Sequence, residues 1–79
     1  MNIRVRLYAT LRCYVPDYDP SKGLKLELED GATIGDVVRR LNLPPQEIKT
    51  VFVNSTLRDF SYPLEEGDLV GIFSPIAGG

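Results

Sequence analysis

Histidine and tryptophan are missing from this sequence, and cysteine occurs once, at Cys13. Without histidine the chain has neither the usual proton shuttle of neutral pH nor the commonest metal ligand. A lone cysteine forms no intramolecular disulfide, and the sequence has neither a secretory h-region nor an apolar run long enough to cross a bilayer. Together these point to a reducing, soluble compartment, read here as cytoplasmic, with no membrane partner. Basic charge is not in excess either: nine Lys and Arg against eleven Asp and Glu leave a net charge of -2. That balance argues against a nucleic-acid partner tracked through its phosphates, although Arg4, Arg6 and Arg12 make the N-terminal stretch locally basic. The tyrosines are scattered and form no periodic stacking platform.

What is present is ordinary globular material, 43% hydrophobic and 25% charged over 79 residues. A chain of this length reads as one domain and buries only roughly 60% of the surface exposed by its unfolded form, so a deep enzyme pocket is not expected. Asn2–Tyr8 alternates, with Ile3, Val5 and Leu7 on one face and Arg4, Arg6 and Tyr8 on the other, as a half-buried strand does. Residues 9–15 are consistent with a short helical turn or a loop, and residues 17–23 read as a loop. Residues 23–29 alternate again through Leu24, Leu26 and Leu28, and Asp30-Gly31 ends that strand in a turn.

At Thr33 the period changes. Its hydroxyl can cap a helix start, Asp36 follows three residues on, and Ile34, Val37, Val38 and Leu41 fall on one helical face. Arg39 and Arg40 sit where the helix dipole favours cations, and Pro44-Pro45 forbids continuation. Val51, Phe52 and Val53 predict a strand, Asn54-Ser55 a turn, and residues 69–73 a last strand after the acidic turn at Glu65, Glu66, Gly67 and Asp68. The order ββαβ(β)β predicts an α+β fold with one main helix packed on one face of a mixed sheet, and the last strand is expected beside the first.

The chain finishes F-S-P-I-A-G-G, Phe73 to Gly79. Average glycine usage of about 7% puts a double glycine at a given pair of positions at roughly 0.5% by chance. With V-N-S-T-L (Val53 to Leu57) and P-L-E-E-G-D (Pro63 to Asp68), this tail resembles the MoaD/ThiS sulfur-carrier family of ubiquitin-like β-grasp proteins, most closely the small subunit of molybdopterin synthase. The resemblance implies a single β-grasp domain over residues 1–79, with 74–79 a flexible tail. It implies a protein that catalyses nothing alone and binds no cofactor.

In such a carrier an activating enzyme of the ubiquitin-activating (MoeB-like) type uses ATP to adenylate the carboxyl of Gly79. A persulfide-derived sulfur then makes it a thiocarboxylate, and sulfur passes to an acceptor held by a MoaE-like large subunit. Glycine at 78 and 79 suits the task, because a chain without Cβ atoms threads a narrow channel and takes unusual φ and ψ. A ThiS-like role in thiamine synthesis, or conjugation to target proteins through Gly79 as ubiquitin is conjugated, remains open alongside.

A carrier must dock. If Val70 and Ile72 face the helix, alternation puts Leu69, Gly71 and Phe73 on the open sheet face. Phe73, Leu57, Phe60 and Ile76 are the expected apolar contacts, with Pro75 stiffening the base of the tail. Leu57 and Phe60 fit equally well as core residues beneath the irregular loop. Ser74 stands where MoaD-like chains usually carry a second proline. Cys13 reads as a small buried hydrophobe rather than a reactive thiol.

Overall fold

The computed structural model describes residues 1–75. Its elements run β1 (Asn2–Tyr8), a 3₁₀ segment (Ala9–Tyr14), β2 (Leu24–Glu27), α1 (Ile34–Arg40), a second 3₁₀ turn (Pro45–Glu47), β3 (Thr50–Val53), β4 (Thr56–Arg58) and β5 (Leu69–Phe73). The strands form one sheet in the order β2-β1-β5-β3-β4. β5 lies beside β1, as expected, and runs parallel to it; the other pairs are antiparallel.

Alternation sorts each strand into two faces. Ile3, Val5 and Leu7 of β1, Val51 and Val53 of β3, and Val70 and Ile72 of β5 are buried against Ile34, Val37 and Val38 of α1. Each fully buried aliphatic side chain of this kind contributes roughly 1.5–3 kcal/mol. The 3₁₀ segment adds Leu11, which is fully buried and closes one end of this core. That settles residues 9–15, for which the sequence left a helical turn and a loop open.

α1 starts as its sequence dictates. The Thr33 hydroxyl accepts from the Asp36 amide while the Asp36 carboxylate accepts from the Thr33 amide at 2.8 Å, a reciprocal capping box. The loop before Leu64 takes the next amides: Ile34 donates to the Tyr62 carbonyl at 3.2 Å and Gly35 to that of Phe60 at 2.9 Å. The free donors of the helix start are thereby satisfied within the chain.

Pairing sets the extent of β2 and establishes β4. β2 spans Leu24–Glu27, shorter than the alternation over residues 23–29, and the Leu28 amide just beyond it still donates to the carbonyl of Met1 at 2.8 Å. The optional strand after β3 is real: Asn54 and Ser55 both take positive φ, 50° and 73°, and this tight turn folds β4 back onto β3.

The two motifs around that hairpin meet in space. Asp68 is buried, and its carboxylate accepts from Asn54 Nδ2 at 2.8 Å and from the Glu65 amide at 2.8 Å. Asn54 Oδ1 in turn accepts from the Leu69 amide at 3.0 Å. Asn54 of V-N-S-T-L and Asp68 of P-L-E-E-G-D thus fix the β3–β4 hairpin against the start of β5, and among the described residues no buried side-chain N or O atom is left without a hydrogen-bond partner.

Candidate functional site

α1 covers one face of the sheet and leaves the other open. The register sets the rows of that open face: Tyr8 lies beside Phe73, Arg6 beside Gly71, and Arg4 beside Leu69. Across β5, Gly71 stands opposite Phe52, which stands opposite Leu57 of β4. Phe73 is therefore on the open face, as alternation predicts. It stacks on Tyr8, with ring centroids 4.2 Å apart and planes 2° from parallel, and meets Phe52 edge-on at 5.6 Å and 79°.

Gly71 gives this face its shape. A methyl group there would sit 3.5 Å from both Phe73 Cε1 and Tyr8 Cε2, so the missing side chain leaves a depression beside the stacked rings. The hollow is about 340 Å³, floored by Gly71 and walled by Arg6, Tyr8, Phe52, Leu69 and Phe73. Leu69 and Tyr8 are 41% and 39% exposed. These are large apolar groups left in water, the feature that marks a contact surface on a small domain.

Leu57 is 59% exposed and extends the apolar surface beyond Phe52. Neither it nor Phe60, 37% exposed, is a core residue. Phe60, two residues past the end of β4, lines a shallow groove with Lys49, Leu57 and Arg58. The structure thus brings Phe73 and Leu57 onto one surface and sets Phe60 at its margin. Cys13 also departs from expectation: it is exposed on the 3₁₀ segment, because that segment spends its buried position on Leu11. Ile76, Gly78 and Gly79 lie outside the described residues.

Where the chain leaves the sheet it is held on both sides. The Phe73 carbonyl accepts from the Lys49 amide at 2.7 Å, and the buried Ser74 hydroxyl accepts from Thr10 Oγ1 at 3.1 Å. A hydrogen bond to the 3₁₀ segment therefore restrains position 74, where stiffness would otherwise come from a second proline. Pro75 follows, exposed. The segment leading to the double glycine starts from a fixed point at the edge of the aromatic hollow.

Sequence reading placed Leu69, Gly71 and Phe73 on one face but missed Tyr8 and Phe52 as their neighbours. Tyr8 belongs to the polar face of β1, and Phe52 is flanked by core valines. Only the pairing of β1, β5 and β3 makes them neighbours.

The sequence pattern of a protein family described as Mut7-C ubiquitin matches residues 1–77. The chain belongs to this Mut7-C ubiquitin family. No curated protein sequence matches it. Among solved structures, the HVO 2177 protein of Haloferax volcanii is 30% identical, with 100% of this chain and 87% of that one covered and a TM-score of 0.76. SAMP1 of the same organism is 18% identical over 100% of both chains, with a TM-score of 0.77. A chain of the complex of subunits 1 and 2 of molybdopterin-converting factor from Helicobacter pylori is 16% identical over 100% of both chains, with a TM-score of 0.64.

The fold is the ubiquitin-like β-grasp that the sequence resemblance implies. Among the described residues no helix is long and apolar enough to cross a membrane.

Proposed function

We propose that this Mut7-C ubiquitin-family chain is a sulfur carrier, the small subunit of a molybdopterin synthase, working in the cytoplasm. A MoeB-like enzyme of the ubiquitin-activating type would join AMP from ATP to the Gly79 carboxyl, releasing pyrophosphate. The outer sulfur of a donor persulfide then displaces AMP to give an acyl disulfide, a second thiol cleaves its S–S bond and ends as a disulfide, and the released thiocarboxylate is carried to a MoaE-like large subunit. A free carboxylate is a poor electrophile because its charge repels nucleophiles and it has no good leaving group; adenylation cures both faults.

The observation that carries this reading is the aromatic hollow around Gly71 and Phe73, set immediately before a restrained Ser74-Pro75 and a double glycine. A docked partner would receive the tail in a defined direction. The H. pylori complex of subunits 1 and 2 supports the choice of a large-subunit partner. The test is intact mass of the chain after incubation with an activating enzyme, ATP and a sulfur donor. The expected product has gained the difference between one sulfur and one oxygen; an unchanged mass beside an active control carrier refutes the proposal.

A second reading has its own support, since the neighbour SAMP1 is a small archaeal modifier protein. Conjugation through Gly79 starts from the same acyl adenylate. Immunoblotting cell extracts separates the two: a ladder of heavier species indicates a modifier, one free species a carrier.

A further inference from the structure

The open face has a second half that the hollow does not use. Arg4 and Arg6 of β1 point the same way as Tyr8, and Lys25 of β2 lies directly opposite Arg4. Lys22, in the preceding loop, joins them in a second shallow depression. None of these four cations has a carboxylate within salt-bridge distance among the described residues, where the ion pairs are Met1 with Asp30 and Arg39 with Asp36.

The arrangement is not a by-product of a basic chain, because the net charge is -2. Arg4 Nη1 donates to the Lys22 carbonyl at 2.7 Å and Arg6 Nη1 to the Pro20 carbonyl at 3.0 Å. Each guanidinium spends a donor on an uncharged acceptor, which holds it in place while leaving its charge and remaining donors unanswered. Pre-positioned arginines lose less freedom when they bind a carboxylate. Arg4 and Arg6 are two residues apart on one strand, about 7 Å, within the screening length of about 8 Å at physiological salt, so they act as one cationic cluster.

We infer that this face docks a protein whose contact surface carries an apolar side chain for the Gly71 hollow, with carboxylates beside it for Arg4, Arg6 and Lys25. Arg6 joins the two halves, since it walls the hollow and belongs to the cluster. A protein partner fits better than a nucleic acid. A phosphate backbone needs a cationic track along its path, whereas these cations occupy one side only, and Tyr8 and Phe73 turn their rings to one another rather than to a base. The inference rests on the open face being the docking surface of the carrier reading, but not on thiolation of Gly79. The mass measurement and the test below therefore fail independently.

The test is an NMR titration of the ¹⁵N-labelled chain with three synthetic peptides built around one leucine, flanked by Asp and Glu, by Asn and Gln, or by Lys. The acidic peptide should shift the amides of Arg6, Leu69, Gly71 and Phe73 and bind at least about tenfold tighter than the neutral one. That preference should shrink as salt rises from about 20 mM to about 500 mM. Lys25 makes no side-chain hydrogen bond among the described residues, so Lys25→Glu should reduce the preference, and Arg4→Glu with Arg6→Glu should reverse it. Equal binding of acidic and neutral peptides overturns the inference, as does absence of shifts with the acidic peptide or shifts elsewhere. So does tighter binding of an oligothymidylate, or self-association of the chain through the same amides.

Discussion

Tyr8 and Phe73, 65 positions apart in sequence, stack face to face with centroids 4.2 Å apart because parallel pairing of β1 and β5 sets them side by side. A stacked pair contributes about 0.5–1.5 kcal/mol beyond the area it buries. Tyr8→Ala should therefore cost about 1 kcal/mol in denaturant unfolding, and Tyr8→Phe almost nothing. If the pair also forms the wall of a docking surface, Tyr8→Ala should weaken partner binding at least about tenfold while Tyr8→Phe does not. Titration calorimetry with the proposed large-subunit partner, together with unfolding midpoints, checks both.

Gly71 allows fold and site to be separated. A Cβ there meets Tyr8 and Phe73 at 3.5 Å, an ordinary contact, so Gly71→Ala should fold normally. Replacing a strand glycine should even stabilise the chain by about 0.5 kcal/mol. The same methyl group fills the floor of the hollow and should reduce partner affinity. Higher stability with weaker binding is the expected signature, and unchanged binding would remove the hollow from the docking surface.

The capping box makes stability depend on acid. The backbone hydrogen bond from Thr33, with lesser help from the Thr33 hydroxyl and Arg39, holds the Asp36 carboxyl below its ordinary value of 3.8. Ser21 does the same for Asp19, and Ser61 for Asp59. Groups whose folded pKa is depressed contribute fully above the unfolded value and lose that contribution as pH falls through the folded one. The thermal midpoint should therefore stay level above pH 3.8 and drop below it. Asp36→Asn should lower the neutral-pH midpoint and flatten the acid drop, and Thr33→Ala should cost about 1 kcal/mol. Circular dichroism melts across the acid range provide the comparison.

Tyr18 supplies a hydrogen bond that the sheet cannot. β2 pairs with β1 only as far as Val5, and the Leu7 amide beyond it donates to the Tyr18 hydroxyl at 2.9 Å. Tyr18→Phe leaves a part-buried amide without a partner and should destabilise by about 1–3 kcal/mol. Hydrogen exchange at Leu7 should accelerate more than at Val5, which distinguishes this local loss from a general one.

Ile3, Val5 and Leu7, the Thr33–Asp36 cap and the turns at Asn54-Ser55 and residues 65–68 follow from the sequence because each depends on residues within a few positions of one another. A period of two sorts a strand into faces, and a hydroxyl followed by a carboxylate three residues later caps a helix whatever lies elsewhere. The choice between core and surface for Leu57 and Cys13 was not of that kind. It depended on which face β4 presents once paired to β3, and on Leu11 having taken the buried position of the 3₁₀ segment.

The order of elements and the helix with its cap were determined by the sequence alone, since they are local in origin. The hollow around Gly71, the stack of Tyr8 on Phe73, the hydrogen bond from Thr10 to Ser74 and the separation of the open face into apolar and cationic halves were decided only by tertiary structure. These features exist where strands distant in sequence lie side by side, and the register that aligns them is set by burial of the opposite face against α1.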